Sequence, residues 1–268
     1  MGPTRPDELE RAVPALPTRD ELREHLTATR IAGSVATPVW DVLRKAEGLA
    51  GGVEEYAFGL SGMERWSAAD VLAQVRARYG WSHTPGEPGD GPTWIDPELL
   101  LDELDRAAAR LARAGREGQR VLLASGHPTG VLALHQRLAT ALQQGGAKLL
   151  RPADGERLVV ATKVRSIRYV LGVAVLSGSG NLYHTHRAEP MEAVLERSGQ
   201  VDLVVADHGW AGAAAERGID TIGIADINDP ALPMARHEGR LPVVLGMDDN
   251  VLTVHYEPVA EYLAAGLA

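Results

Sequence analysis

The side chains best suited to chemistry crowd between residues 181 and 229, where His184, His186, Glu189, Asp207, His208, Asp226, Asn228 and Asp229 occur among short apolar runs. Imidazole titrates near neutral pH, so each histidine can hold a ligand or carry a proton. Grouped carboxylates suit a hard divalent cation, with magnesium or manganese the first choices. Asp207 and Asp226 each follow an apolar β-branched run, 201–206 and 221–225. Residues just past the carboxyl ends of parallel strands share one crevice, so both aspartates should meet there. The expected metal ligands are Asp207, Asp226 and Asp229. His208, His184, His186 and Asp207 are the expected catalytic groups, and Glu189, Trp210, Asn228 and Arg30 are further substrate contacts.

A second constellation precedes this one. The apolar run 120–124 leads straight into Ser125, Gly126, His127, Pro128, Thr129 and Gly130, with a helical pattern following. Free backbone N–H groups at a helix start favour an anion. Ser125, Gly126, His127, Thr129 and Gly130 are therefore the expected phosphate cradle, although the stretch is neither a Walker A loop nor G-x-G-x-x-G, and a plain capping turn competes. Residues 208–212 echo it, again with a histidine and two glycines between a strand and a helix.

These groups need an α/β scaffold to bring them together. Runs at 120–124, 147–150, 157–161, 167–176, 201–206, 221–225, 241–245 and 251–256 read as strands, with 177–181 a hairpin turn and 182–186 a returning strand that puts His184 and His186 on one face. Helices are expected over 131–144, 191–197, from 213 to 217, and from 257 to about 265. Asp248, Asp249 and Asn250 read as ordinary hairpin chemistry. Before residue 118 the pattern is helical: Thr18 and Ser67 are good N-caps, Asp96 and Pro97 open a long helix, residues 31–38 look turn-like, and residues 82–93 look irregular. The fold class is thus α/β, a Rossmann-like, mainly parallel sheet with flanking helices. The expected divisions are a loose tail over 1–17, a helical cap over 18–117 with its own small core, and the α/β core over 118–268. In the cap, Arg30, Tyr56 or Trp66 is a candidate to close over a substrate.

Composition bounds the partners. With 36 acidic against 27 basic residues the net charge is −9, which argues against a nucleic-acid backbone as ligand. There is no cysteine, hence no disulfide, thiolate metal site or cysteine nucleophile. The charged, proline-broken start does not read as a signal peptide and no apolar run reaches the roughly 18 residues of a membrane span, so a soluble cytoplasmic protein is expected. A homo-oligomer stays open.

The motifs ASGHPTG at 124–130, YHTHRAEPM at 183–191, VADHGWAG at 205–212 and IADINDPAL at 224–232 together resemble a bacterial, largely actinobacterial, family of proteins assigned as phosphatases. The likeness extends through TRIAGSVATP at 29–38 and IDPEL at 95–99. It implies a shared architecture over most of the chain and phosphatase activity, without marking a catalytic residue. The D-x-D-x-T/V and R-H-G signatures of two phosphatase classes with covalent mechanisms are absent. The expected function is metal-assisted hydrolysis of a small phosphomonoester, a sugar phosphate or nucleotide. The alternatives are a non-catalytic binder of the same ligands, and a nucleoside or glycosyl hydrolase with Asp226 or Asp229 as base.

Overall fold

A computed structural model describes residues 16–83 and 89–267. Most of the expected tail, and residues 84–88 of the expected irregular stretch, lie outside the described residues. Thr18 caps α1 (Arg19–Ala28) in a reciprocal box with Glu21. Residues expected to turn instead form β1 (Gly33–Pro38), which leads directly into α2 (Val39–Ala50) and then α3 (Glu54–Ala57). The glycine, serine and proline of β1 mask an alternation in which Val35 and Thr37 face inward. Ser67 and Asp70 box the start of α4 (Ala68–Tyr79). Next come β2 (Pro92–Ile95), antiparallel to β1, and α5 (Pro97–Arg116), capped by Asp96.

The remainder builds the large sheet. Its elements are β3 (Arg120–Ser125), α6 (Leu132–Gln144), β4 (Lys148–Leu149), β5 (Arg157–Val160), β6 (Lys163–Val170), β7 (Val173–Gly178), β8 (Asn181–Leu182), α7 (Glu189–Glu196), β9 (Leu203–Asp207), α8 (His208–Glu216), β10 (Thr221–Ala225), α9 (Ala231–His237), β11 (Val243–Gly246) and α10 (Glu257–Ala264). Among the described residues the sheet has nine strands, with the main order β11-β10-β9-β3-β7-β6-β5. The strands from β11 to β7 in that order pair in parallel, and β7, β6 and β5 continue antiparallel.

Three expected strands change. The run 167–176 is not one strand but the end of β6 and start of β7, folded at Leu171 (φ 48°) and Gly172 (φ 94°). The left-handed backbone that glycine tolerates makes this the turn. Residues 253–256 form a 3-10 helix rather than a strand, and of the expected returning strand only Leu182 pairs with β7, beside Asn181 of the expected turn, so His184 and His186 lie beyond the ladder.

Both faces of the parallel part of the sheet are buried, as parallel pairing requires, while β5 and β6 stay partly exposed. Alternation along β3 sends Val121 and Leu123 into a cluster with Leu22 and Leu26 of α1, Leu104 and Leu111 of α5 and Leu138 of α6. Leu122 and Ala124 join the other cluster with Trp210 of α8, Met191 of α7 and Val71 of α4. The helices before residue 118 therefore share the core of the sheet instead of enclosing one of their own. Each buried leucine contributes about 1.5–3 kcal/mol, which seats α5 against β11 and α1 against α5. Among the described residues no helix is long and apolar enough to cross a membrane.

Candidate active site

Four neighbouring parallel strands deliver the chemistry at their carboxyl ends: β3 leads to His127, β9 to Asp207 and His208, β10 to Asp226 and Asp229, and β11 to Asp248 and Asp249. The segment after β8 adds His184 and His186, β1 adds Thr37, and α2 adds Lys45. These groups, except Asp207, line a cleft of about 320 Å³.

Asp207 is fully buried behind that cleft. Its Oδ1 accepts from the Gly126 N–H at 2.6 Å, the His127 N–H at 3.0 Å and His208 Nδ1 at 2.9 Å. Burial alone would raise this carboxyl, but the hydrogen bond and charge of His208 bring it down to about 2. The turn after β3 does hold an anion, as its free N–H groups dictate, yet the anion is the chain's own aspartate. This corrects the expected phosphate cradle. The Gly130 N–H is spent on the His127 carbonyl, Ser125 is buried with its hydroxyl accepting from the His127 N–H, and Thr129 is exposed outside the cleft. Only His127 of the five lines the cleft. Asp207 likewise stands behind His208 rather than beside Asp226. His135, which the sequence did not flag, closes the rear, with Nε2 at 3.8 Å from Asp207 Oδ2; burial lowers its pKa.

His208 opens α8 five residues earlier than the alanine pattern suggested, with φ at 48°. A non-glycine residue in this left-handed region costs roughly 1–3 kcal/mol and persists where the surroundings over-determine it. Gly209 makes the position possible, since a Cβ there would collide with the carbonyl oxygens of His186 and Arg187. Held from behind by Asp207, the ring points Nε2 toward Asp229 Oδ2 at 3.5 Å and Asp249 Oδ2 at 3.6 Å. Burial would discharge this imidazole, but Asp229, Asp207 and Asp249 outweigh it and raise the group to about 9.

Three more imidazoles gather on it. His127 stacks on His184 with centroids 4.2 Å apart, and His186 stacks on His208 at 4.6 Å. Burial first, then the charge of His208, lowers His184 to about 4 and His186 to about 3. Both rings thus present lone pairs at neutral pH. Leaving the expected strand did not take them from the cleft.

The carboxylates form the opposite wall. Asp226 accepts from the Thr37 hydroxyl at 2.6 Å and from the Ile227 N–H at 2.7 Å. Burial, then Asp249, Asp248 and Asp229, hold its pKa well above the usual range. Asp229 sits 3.3 Å from Lys45 Nζ, and this ammonium, against its burial, helps hold Asp229 low. Asp248 accepts from the Asn250 N–H at 2.9 Å and is raised by burial. Asp248 and Asp249 are therefore cleft residues, and Asp248 also keeps the turn chemistry expected of it through the Asn250 N–H. The signal that could have found them was the strand-end rule, applied to β11 as to β10. No such signal marked Lys45 or Thr37.

Donor atoms from His127, His184 and His208 lie within 4.8 Å of one another, and so do those from His208, Asp229 and Asp249. His127 Nδ1, His186 Nδ1 and Asp249 Oδ2 are buried without a hydrogen-bond partner among the described residues. Two overlapping nitrogen and oxygen sets that share His208, with orphaned donor atoms, fit a divalent metal.

The remaining expected contacts divide. Asn228 lines the cleft, its Nδ2 donating to Asp41 Oδ2 at 2.6 Å. Arg30 is exposed, bonded to the Ser34 carbonyl, and its charge acts on Asp248. Glu189 is outside the cleft, paired with Arg187 at 2.6 Å at the start of α7. Trp210 is completely buried in the sheet's core, which the apolar face of α8 requires, and it does not line the cleft. Tyr56 bonds to Arg44 and Trp66 to Glu238, and neither lines the cleft.

Comparison with known proteins adds to this geometry. A family model described as Phosphatase matches residues 17–267. A protein of Streptomyces coelicolor named as a phosphatase is 44% identical over 258 residues, covering 94% of this chain and 97% of its own length.

Proposed function

The chain belongs to the Phosphatase family, and from that premise we propose that the cleft hydrolyses phosphomonoesters of small molecules, assisted by divalent metal. The observation that carries this reading is the pair of donor sets meeting at His208. His127, His184 and His208, with Asp229 and Asp249, would hold the metal. A set this rich in imidazole favours zinc, manganese or iron over the magnesium that aspartates alone suggested. A bound divalent ion polarises phosphoryl oxygens and lowers the pKa of a bound water.

The protein's own groups supply the rest. Asp207 fixes the His208 ring so that Nε2 faces the cleft, the usual arrangement behind a metal-ligating histidine. Lys45 Nζ lines the same wall and offers a cation to phosphoryl oxygens. His184 and His186 are neutral at physiological pH, which suits lone-pair donors and argues against the general-acid role expected of them. Both Asp226 oxygens are engaged, by Thr37 and the Ile227 N–H, so Asp226 shapes the cleft more than it ligates.

Phosphate release from a panel of sugar phosphates and nucleotides, assayed with zinc, manganese, iron, cobalt and magnesium in turn, tests this. Release is expected with metal, and Asp249→Ala should abolish it. No release with any of these metals overturns the proposal.

A further inference from the structure

Beside the cleft, and separated from it only by His184 and His186, runs an open groove of about 610 Å³. One wall is the β5–β6 hairpin. Its tight turn, Ala161 (φ 45°) and Thr162 (φ 71°), holds two residues in left-handed backbone and fixes where β6 begins. Alternation along β6 then points Lys163 and Arg165 to the same side, into the groove. Arg165 lies over the Tyr183 ring with its guanidinium carbon 3.8 Å from the centroid, and Gly178 leaves room for this stack. Neither Lys163 nor Arg165 forms an ion pair with a carboxylate among the described residues. Of the two other charged lining residues, Arg187 is engaged by Glu189, leaving Glu55 at the rim.

Two uncompensated cations in one groove are unexpected in a chain of net charge −9. Arginine pairs with phosphate or carboxylate through a planar fork, and lysine adds a mobile point charge. A phosphate ester whose phosphoryl group meets the histidine and aspartate donors must direct its organic part somewhere, and the groove opens past His184 and His186.

We propose that this groove is the leaving-group subsite, and that Lys163 and Arg165 select phosphate esters whose organic part carries a second anionic group. The inference rests on the cleft being the phosphatase site. It places the substrate among bisphosphorylated or phosphorylated acidic metabolites rather than neutral sugar monophosphates. The selection works in binding, so it acts on KM before kcat, and it weakens with added salt because the groove is open to solvent.

The test compares a hexose bisphosphate with the matching monophosphate, using metal-loaded protein and the Lys163→Gln/Arg165→Gln variant. The unsubstituted protein should favour the bisphosphate in kcat/KM, and the double variant should lose roughly two- to fivefold of that ratio per cation removed, about 4- to 25-fold together. Absence of any preference, or a preference unchanged by the substitutions, overturns the inference. Should neither ester be hydrolysed, it is the phosphatase reading that fails. The groove is then judged by calorimetric binding of the bisphosphate against inorganic phosphate, where equal discrimination in both proteins overturns it. Both substituted residues are on the surface hairpin, and unfolding midpoints confirm that the variant is folded.

Discussion

Asp207 and His208, adjacent in the chain, are also bonded to each other, Oδ1 to Nδ1 at 2.9 Å, with His208 held in left-handed backbone. The same Oδ1 ties down the turn after β3 through the N–H groups of Gly126 and His127. One buried carboxylate thus couples the positions of two candidate metal ligands, His127 and His208.

Replacing Asp207 should therefore do more harm than its distance from the cleft suggests. Asp207→Asn keeps the shape but removes the charge that orients His208, and metal affinity or kcat/KM should fall about 10- to 100-fold. Asp207→Ala in addition strands the buried Gly126 N–H, at roughly 1–3 kcal/mol, and leaves the His127 N–H to the Ser125 hydroxyl alone. Metal titration and denaturant unfolding of the two variants measure these effects separately. Asparagine behaving as the unsubstituted protein in both would show that Asp207 orients nothing.

Stability should depend on pH through His208. Its pKa is raised from 6.5 to about 9, so in chelator-treated protein its stabilisation is complete below pH 6.5 and is lost as pH rises through about 9. The shift corresponds to on the order of 3 kcal/mol. Asp207, lowered to about 2, belongs to the same pair; that side of the linkage is lost only in strong acid, as pH falls from the ordinary carboxylate range through about 2. Unfolding free energy measured from pH 6 to pH 9.5 should fall for the unsubstituted protein, with a shallower slope for His208→Gln. Equal slopes would remove His208 from the linkage.

Gly130 is where the β3 turn touches β11's loop. A Cβ at this position would fall on the Asp249 carbonyl oxygen and close to the His127 ring. Gly130→Ala should destabilise the protein by about 1–3 kcal/mol and weaken metal binding, because the backbone carrying Asp249 must shift. Gly218→Ala is the control: its left-handed φ of 69° makes it strained, but nothing lies near its Cβ, so metal binding should persist. Calorimetric titration of both variants distinguishes a site effect from general destabilisation.

How much of this was legible in the sequence depends on the physics involved. Local chemistry was readable: Thr18, Ser67 and Asp96 cap the helices expected of them, and residues 221–225 are β10. The strand-end rule brought His208, Asp226 and Asp229 to one place, since parallel pairing of β9 with β10 aligns their ends. For Asp248 and Asp249 a competing pattern hides the same rule, because an acidic pair before asparagine also makes turns and the alternation in residues 251–256 imitates a strand. Spacing could not show that Asp207 reaches back 81 residues to Gly126. Nor could it show that α2, shaped by its apolar face, turns Lys45 onto Asp229.

Protonation and metal binding should compete for one atom, His208 Nε2. In the metal-free protein the ring carries a proton at pH 7, held by Asp229, Asp207 and Asp249. A ligand imidazole must be neutral, so binding has to expel that proton. Titrating zinc or manganese at pH 7 in buffers of different ionisation enthalpy should reveal close to one proton released by His208. Affinity should then rise by up to tenfold per pH unit and level off near pH 9, where the ring is already neutral. His184 and His186, lowered to about 4 and 3, are neutral throughout this range and add nothing to the slope. His208→Ala should lose both the proton release and most of the affinity. A buffer-independent enthalpy together with a flat affinity between pH 7 and pH 9 would mean that metal bypasses His208, and the two donor sets would no longer share a ligand.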